Sequence, residues 1–297
     1  MYYYTVFGLV IASEIVFPEL RHASSARRID ITVQYGYLEQ FSSMAPPDSR
    51  NCLVSENKLL IDIVDVAKYL VSCGTEIIVH PVRGAAEETI RLFLLGSAMG
   101  GILHQRGFLP IHGNAIVQDG KCLIFAGHSG KGKSTLAAAF ARRGFQILSD
   151  DLCAIKLSDH TAPLVMPGYP RIRLWEDSLS WIKSTLSECA GECYTKGKFI
   201  VPMDAGYCHS PRPLKKIYLL RFQNSPFIKF QPLNRLDSIV SLKKYTYRRR
   251  MIKKMNLEKS HYNRCAQLVR QVPITRVVRP ADFNLIDPLI GQILQRK

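Results

Sequence analysis

Gly127-His128-Ser129-Gly130-Lys131-Gly132-Lys133-Ser134 satisfies the pattern G-x-x-x-x-G-K-[ST], the phosphate-binding loop. An apolar run, Cys122 to Ala126, precedes it and reads as a buried strand. The stretch from Thr135 to Arg143 follows, with Leu136, Ala139 and Phe140 on one face, and reads as a helix. Strand, loop and helix in that order are the setting the pattern needs. Glycines let the backbone curl so that several N–H groups point at one phosphate chain. The helix N-terminus adds positive partial charge. Residues Gly127 to Thr135 are therefore expected to bind nucleotide, with Lys133 against the phosphates and the Ser134 hydroxyl on Mg²⁺.

The rest of the chain sets bounds. Its 297 residues allow one large domain or two smaller ones, and 47% hydrophobic with 22% charged residues is a globular composition. The net charge of +16 points to polyanionic partners. Nucleotide phosphates account for a few of those charges. The surplus suits an acidic protein, a peptide carboxylate, nucleic acid or an anionic membrane, or simply a solubilising surface. No apolar run reaches the roughly 18 residues of a membrane helix, and the opening Met1-Tyr2-Tyr3-Tyr4 lacks the basic start of a secretory signal. The expected location is the bacterial cytoplasm, with the eight cysteines reduced. Cys189-x-x-x-Cys193 with Cys208-His209 fits no usual zinc spacing.

The first ~80 residues look β-rich. Ile29–Val33 and Glu76–Val79 read as strands, the latter after a turn at Gly74, with a surface loop at Ala45-Pro46-Pro47-Asp48. The stretch from Ala85 to Gln105 reads as a long apolar helix, with Glu87 and Glu88 in its first turn and Gly96, Gly100 and Gly101 permitting close packing. The expected division is a small β-rich domain over 1–84 and a catalytic domain over 85–297. Leu109 to Val117 is a strand carrying His112, joined to the next by a hairpin turn at Asp119-Gly120. Gly144 is expected to cap the helix after the loop.

Phe145–Leu148 then reads as a strand ending in Ser149-Asp150-Asp151. Paired acids at the C-terminal end of a strand lie where ligands gather in α/β sheets. One can bind Mg²⁺ and the other can take a proton from an attacking hydroxyl. Further on, Lys196-Gly197-Lys198 reads either as a mobile basic loop near the phosphates or as an exposed turn. Leu214 to Phe222 is strand-like. Arg248-Arg249-Arg250 and Lys253-Lys254 fall in a helical window over Tyr245–Gln271, as a solvated face or a partner surface. From Val272 the chain reads as strand, turn at Arg279-Pro280 and terminal helix Phe283–Leu294.

His112-Gly113, the loop at 127–134 and Asp150-Asp151, in this order and spacing, resemble the HPr kinase/phosphorylase family. The likeness is specific from about Leu109 to Ala154. The opening, Phe7-Gly8-Leu9 through Ser13-Glu14 to Pro18-Glu19-Leu20, resembles a narrower group of HPr-kinase-like proteins associated with lasso peptide biosynthesis. The resemblance implies an α/β P-loop kinase domain related to phosphoenolpyruvate carboxykinase, using ATP and Mg²⁺. It implies Asp150 as catalytic base, supported by Asp151 and His112. Lys133 would act on the phosphates, and Ser134 with Asp151 would hold the metal.

The sequence also departs from the family. His128 stands where the family carries Asp in the loop. Gly168 to Trp175 occupies the place of a Glu-Ile-Arg-Gly segment; Arg173 matches its Arg, and Arg171 replaces the acid, which favours anion binding over a second metal ligand. No counterpart of the family's C-terminal signature is present, which disfavours HPr as substrate and the phosphorylase reaction. The expected acceptor is a serine hydroxyl, that of the C-terminal serine of a lasso peptide precursor, its carboxylate met by Arg171 and Arg173 with Lys196 and Lys198 behind. No nucleic-acid or membrane partner is expected, and a homo-oligomer is compatible. The alternatives are an HPr-type serine kinase/phosphorylase, a metabolic small-molecule kinase and a nucleotide-regulated binding module.

Overall fold

The computed structural model describes residues 1–23, 28–38, 40–41, 51–55, 57–182, 190–192, 198–203, 206–224 and 226–296, the side chains at 51–54, 182, 190–192 and 198 excepted. The loop expected at Ala45–Asp48, the pair Cys189 and Cys193, and Lys196 lie outside the described residues. The fold is mixed α/β. Its contacts divide it into two compact units, Met1–Pro110 with Thr246–Arg264, and Ile111–Tyr245 with Cys265–Lys297. The boundary expected after residue 84 is thus corrected. The helical stretch over 87–105 groups with the N-terminal strands, and so does a segment from far along the chain.

The first unit is a mixed sheet with strand order β3-β1-β2-β4-β8-β7-β6-β5. Its strands are β1 (Tyr2–Val6), β2 (Leu9–Ser13), β3 (Arg21–His22), β4 (Ile31–Tyr35), β5 (Asn51–Ser55), β6 (Lys58–Ile63), β7 (Ala67–Ser72) and β8 (Glu76–Pro81). The pairs β2–β4 and β4–β8 are parallel. Burial alternates along β4 and β8, as the pleat requires of a strand covered on one face.

The long apolar stretch forms α1 (Glu87–Phe93), a π-helical turn (Leu94–Ala98) and α2 (Met99–Gln105). Its glycines make room for Tyr247. A Cβ on Gly96 would stand 3.3 Å from the tyrosine hydroxyl, and one on Gly100 3.2 Å from its ring. The His104 ring donates through Nε2 to the Tyr247 carbonyl at 2.9 Å. These contacts are why 246–264 belongs to this unit.

The second unit begins with the hairpin of β9 (Leu109–Gln118) and β10 (Lys121–Ala126), turned at Asp119 and Gly120 with φ of 50° and 72°. Two left-handed residues make the turn whose twist matches an antiparallel pair. Then come α3 (Lys133–Arg142), β11 (Ile147–Ser149), β12 (Leu152–Lys156), β13 (Leu164–Met166), β14 (Arg171–Trp175), α4 (Glu176–Ile182), β15 (Ala190–Glu192), β16 (Lys198–Pro202), β17 (Arg212–Phe222), β18 (Lys229–Pro232) and α5 (Arg235–Tyr245). After α6 (Arg250–Lys254) and α7 (Glu258–Gln271) follow β19 (Ile274–Arg279), a 3₁₀ turn (Phe283–Leu285) and α8 (Ile286–Leu294). The single helical window expected over Tyr245–Gln271 is broken, with Asn256 left-handed at φ 55° between α6 and α7.

The main sheet runs β10-β9-β12-β13-β17-β19-β18, with β10 also pairing β17. Strand β17 pairs in parallel with β10 on one side and β19 on the other, so the C-terminal ends of the three lie together. Strands β14, β16 and β15 form a separate small antiparallel sheet. The core stacks Phe125 between Phe140 of α3 and Tyr218 of β17, with centroids 5.4 and 5.8 Å away. Leu289, Ile290 and Ile293 of α8 close the cluster. Each such side chain contributes about 1.5–3 kcal/mol by leaving water. Helix α3 starts two residues earlier than its apolar pattern suggests, and Gly144, at φ 83°, follows its C-cap.

Candidate active site

The hairpin register decides which side chains meet the loop. Gly113 pairs with Ala126 and Asn114 with Phe125, so His112 and Asn114 stand at the end of β10 where the loop begins. On the other side of β9, Ser149 pairs with Ala115, and the Gly113 amide donates to the Asp151 carbonyl at 3.3 Å. One ten-residue strand therefore holds the loop on one side and the acid pair on the other.

The loop itself has Gly130 and Gly132 left-handed, both at φ 76°. Lys133 is buried, and its ammonium donates to the His128 carbonyl at 3.0 Å. The loop opens on a cleft of about 220 Å³, lined by His112, Asn114, Ser129, Gly130, Gly132, Lys133, Ser134, Thr135, Asp151 and Arg173, with Trp175, Phe222, Arg279 and Phe283 among the remaining walls. Such a position, outside the carboxyl ends of parallel strands, is where α/β folds bind ligands.

The two acids sit in different surroundings. Asp150 is buried, and its Oδ1 accepts from the Asn114 amide and from the Ser134 hydroxyl, the latter at 3.3 Å. Its Oδ2 accepts the Arg173 backbone N–H at 2.9 Å. Burial raises the Asp150 pKa, and the Arg173 charge opposes the rise. Asp151 is left-handed at φ 68° and stands on the cleft wall. One of its carboxylate oxygens is ion-paired with the Arg173 guanidinium, and the other lies 3.3 Å from His112 Nδ1. That nitrogen also lies 3.1 Å from the Asp151 carbonyl. A carbonyl oxygen only accepts, so Nδ1 carries the hydrogen and the neutral ring is deprotonated at Nε2. Burial lowers the His112 pKa, against the pull of the Asp151 carboxylate.

Of the cationic residues expected to meet substrate, Arg173 lines the cleft. Arg171 does not; its guanidinium lies over the Tyr169 ring, 5.2 Å from the centroid. Lys198 opens β16, paired with Trp175, and its side chain, like the whole of Lys196, is outside the described residues. Ser134 touches Asp150 and not its expected partner Asp151. His128 is exposed, its ring 5.3 Å from that of Tyr245.

Two residues escaped the sequence reading. Asn114, fully buried, links Ser134 to Asp150; nothing marks an asparagine two places after a histidine until the register is known. Arg279, read as part of a turn, is 2% exposed, and burial pushes its pKa down to about 10, which leaves it charged at neutral pH.

The donor set suits Mg²⁺ and phosphate. Ser134 and Asn114 line the cleft with hard oxygens, Asn114 Oδ1 being buried with no hydrogen-bond partner, and Asp150 stands behind Ser134 as its hydrogen-bond acceptor. On the anion side stand Lys133, the loop amides and Arg279, whose Nε is buried and equally without a partner. Among the described residues no cluster of three or more His, Cys, Asp or Glu could hold a metal alone, and no helix is long and apolar enough to cross a membrane. Mg²⁺ commonly keeps few protein ligands and completes its shell with phosphate and water.

No family model and no curated protein matches this chain. Among solved structures it is similar to the Hpr(Ser) kinase/phosphatase from Coxiella burnetii, at 14% identity over 62% of this chain and 92% of that one, with a TM-score of 0.31.

Proposed function

We propose that the chain is an ATP- and Mg²⁺-dependent phosphotransferase acting on a serine hydroxyl. The observation that carries it is the division between the two acids: Asp150 buried against the loop serine, Asp151 on the cleft wall beside His112. A nucleotide switch needs the first acid and has no use for the second. Two carboxylates in contrasting environments are what separates metal work from proton work in one site.

Lys133 and the loop amides hold the phosphates. The Ser134 hydroxyl donates its hydrogen bond to Asp150 and accepts one from Asn114, which leaves one oxygen lone pair to face the metal, and Asn114 fixes the orientation of both. Mg²⁺, when bound, neutralises charge on the phosphates. Asp151, kept in place by Arg173, takes the proton from the acceptor, and His112 fixes the carboxylate. This exchanges the roles that the resemblance implied for Asp150 and Asp151, because burial and its three hydrogen bonds take Asp150 away from the acceptor.

The proposed acceptor is the C-terminal serine of a lasso peptide precursor. The support is the resemblance of the opening Phe7 to Leu20, together with Arg173 in the cleft as a partner for the terminal carboxylate. Incubation with γ-labelled ATP, Mg²⁺ and separate acceptors tests it: a precursor peptide ending in serine, HPr, and small alcohols. Label on the terminal serine is the expected result. Label on HPr or a small alcohol alone would move the substrate, and nucleotide binding with no transfer to any acceptor would favour the binding module.

A further inference from the structure

Arg279 stands at the C-terminal end of β19, among the parallel strand ends that carry the loop, and it lines the cleft. It is 2% exposed, yet among the described residues no carboxylate pairs with it. Its Nη1 reaches the Pro280 carbonyl at 3.4 Å, a weak contact, and its Nε has no partner at all. Burying a cation without a counter-ion is strongly unfavourable, so a fold keeps one only where something else requires it.

The surroundings say what is missing. The guanidinium lies over Phe222, 4.7 Å from the ring centroid, and Lys131 of the loop shares that ring at 5.1 Å. Two cations on one ring repel each other, and a single ring quadrupole offsets only part of the cost of burying either charge. The guanidinium also packs against Gly132, where any Cβ would collide with its Nη2. Loop, ring and arginine are thus fitted to one another with the charge left uncompensated.

We propose that Arg279 is a phosphate-binding arginine of the loop site, its counter-ion being the phosphate chain of a nucleoside di- or triphosphate. This rests on reading 127–134 as a nucleotide site and adds to it a ligand some 150 residues away in sequence. A guanidinium presents parallel N–H groups to phosphate oxygens, and Nε is the donor that such a contact would satisfy.

The test is calorimetric titration of ADP, ATP and adenosine, with Mg²⁺ present, into wild type and Arg279→Met, and thermal unfolding of both without nucleotide. Methionine keeps the apolar contact with Phe222 and removes the charge. ADP and ATP affinity should fall roughly 10- to 100-fold, the worth of a charge-assisted hydrogen bond, while adenosine binding stays unchanged. The nucleotide-free variant should melt at the same temperature or higher, because an unpaired buried charge has been removed. Wild-type ADP affinity in Arg279→Met overturns the inference, as does a lower melting temperature with unchanged affinity. Should the methionine variant not fold, Arg279→Gln decides: full ADP affinity overturns the proposal, and loss of affinity supports it. A wild-type protein that binds no nucleotide overturns the loop reading and this inference together, whereas nucleotide binding that is lost in Lys133→Ala and kept in Arg279→Met overturns this inference alone.

Discussion

Asp150 and Asp151 differ in what their neighbours leave available. Asp150 spends both oxygens on Asn114, Ser134 and the Arg173 amide, whereas Asp151 is held at the cleft by an ion pair and an imidazole. Asp151→Asn keeps the shape and removes the base, so turnover should fall by about 10²-fold or more with the Mg²⁺ requirement unchanged. Asp150→Asn should instead raise the Mg²⁺ concentration needed for half-maximal rate. Steady-state kinetics across a Mg²⁺ series checks both, and the opposite pattern would restore Asp150 as the base. Lys133→Ala should abolish transfer while the protein still unfolds cooperatively. His112 adds a pH dependence. Its pKa lies below the ordinary 6.5 because burial disfavours the imidazolium. The neutral ring therefore persists into mild acid, and the acid limb of the kcat/KM profile should fall below pH 6.5, unless the limb belongs to another group, which His112→Asn would reveal by leaving it in place.

The hairpin of β9 and β10 is the element on which the site depends. Its register puts Asn114 opposite Phe125 and Gly113 opposite Ala126, and Gly113 lies against its partner's backbone. A Cβ there would stand 2.6 Å from the Phe125 carbonyl oxygen, so the two strands must part. Gly113→Ala should cost about 1–3 kcal/mol, the usual range for overpacking a close contact, and should lower turnover as well because His112 and Asn114 move with the strand. Denaturant unfolding checks the first effect; a variant as stable as wild type would mean the strands yield freely. The strand and helix patterns along this stretch were legible from alternation and turn residues. The register was not, since a one-residue slip leaves the same composition and is decided by pairing across the sheet.

On the scale of the whole molecule, titration and charge are the terms that solution conditions can move. His104 is buried in the first unit, and desolvation pushes its pKa down to about 4 from an ordinary 6.5. A depressed pKa means the unfolded chain takes up the proton first, so stability present above pH 6.5 is lost as pH falls toward 4, up to roughly 3 kcal/mol. His104→Gln should flatten that part of the stability–pH curve relative to wild type, measured by chemical unfolding at several pH values; parallel curves would remove His104 as the cause. The basic run Arg248–Arg250 with Lys253 and Lys254 is exposed while Met251 and Ile252 between them are buried, so its charge is directed to solvent. It contributes to the net +16, and that field is screened within about 10 Å at 0.1 M salt.

What the sequence determined by itself is what neighbours in the chain decide: the phosphate-binding loop, the strand before it and the helix after it, the hairpin turn at Asp119-Gly120, and the acid pair closing a short strand. Each is a local pattern whose physics needs only a few consecutive residues. The tertiary structure alone decided which partners those residues meet. Asn114 between Ser134 and Asp150, Arg279 beneath Gly132, Arg171 over Tyr169 rather than in the cleft, and 246–264 returning to the N-terminal strands all join positions far apart in the chain. The division of labour between the adjacent acids belongs with them. Two aspartates with the same neighbours in sequence differ in burial, in hydrogen bonds and in charge partners, and those are properties of the folded surroundings.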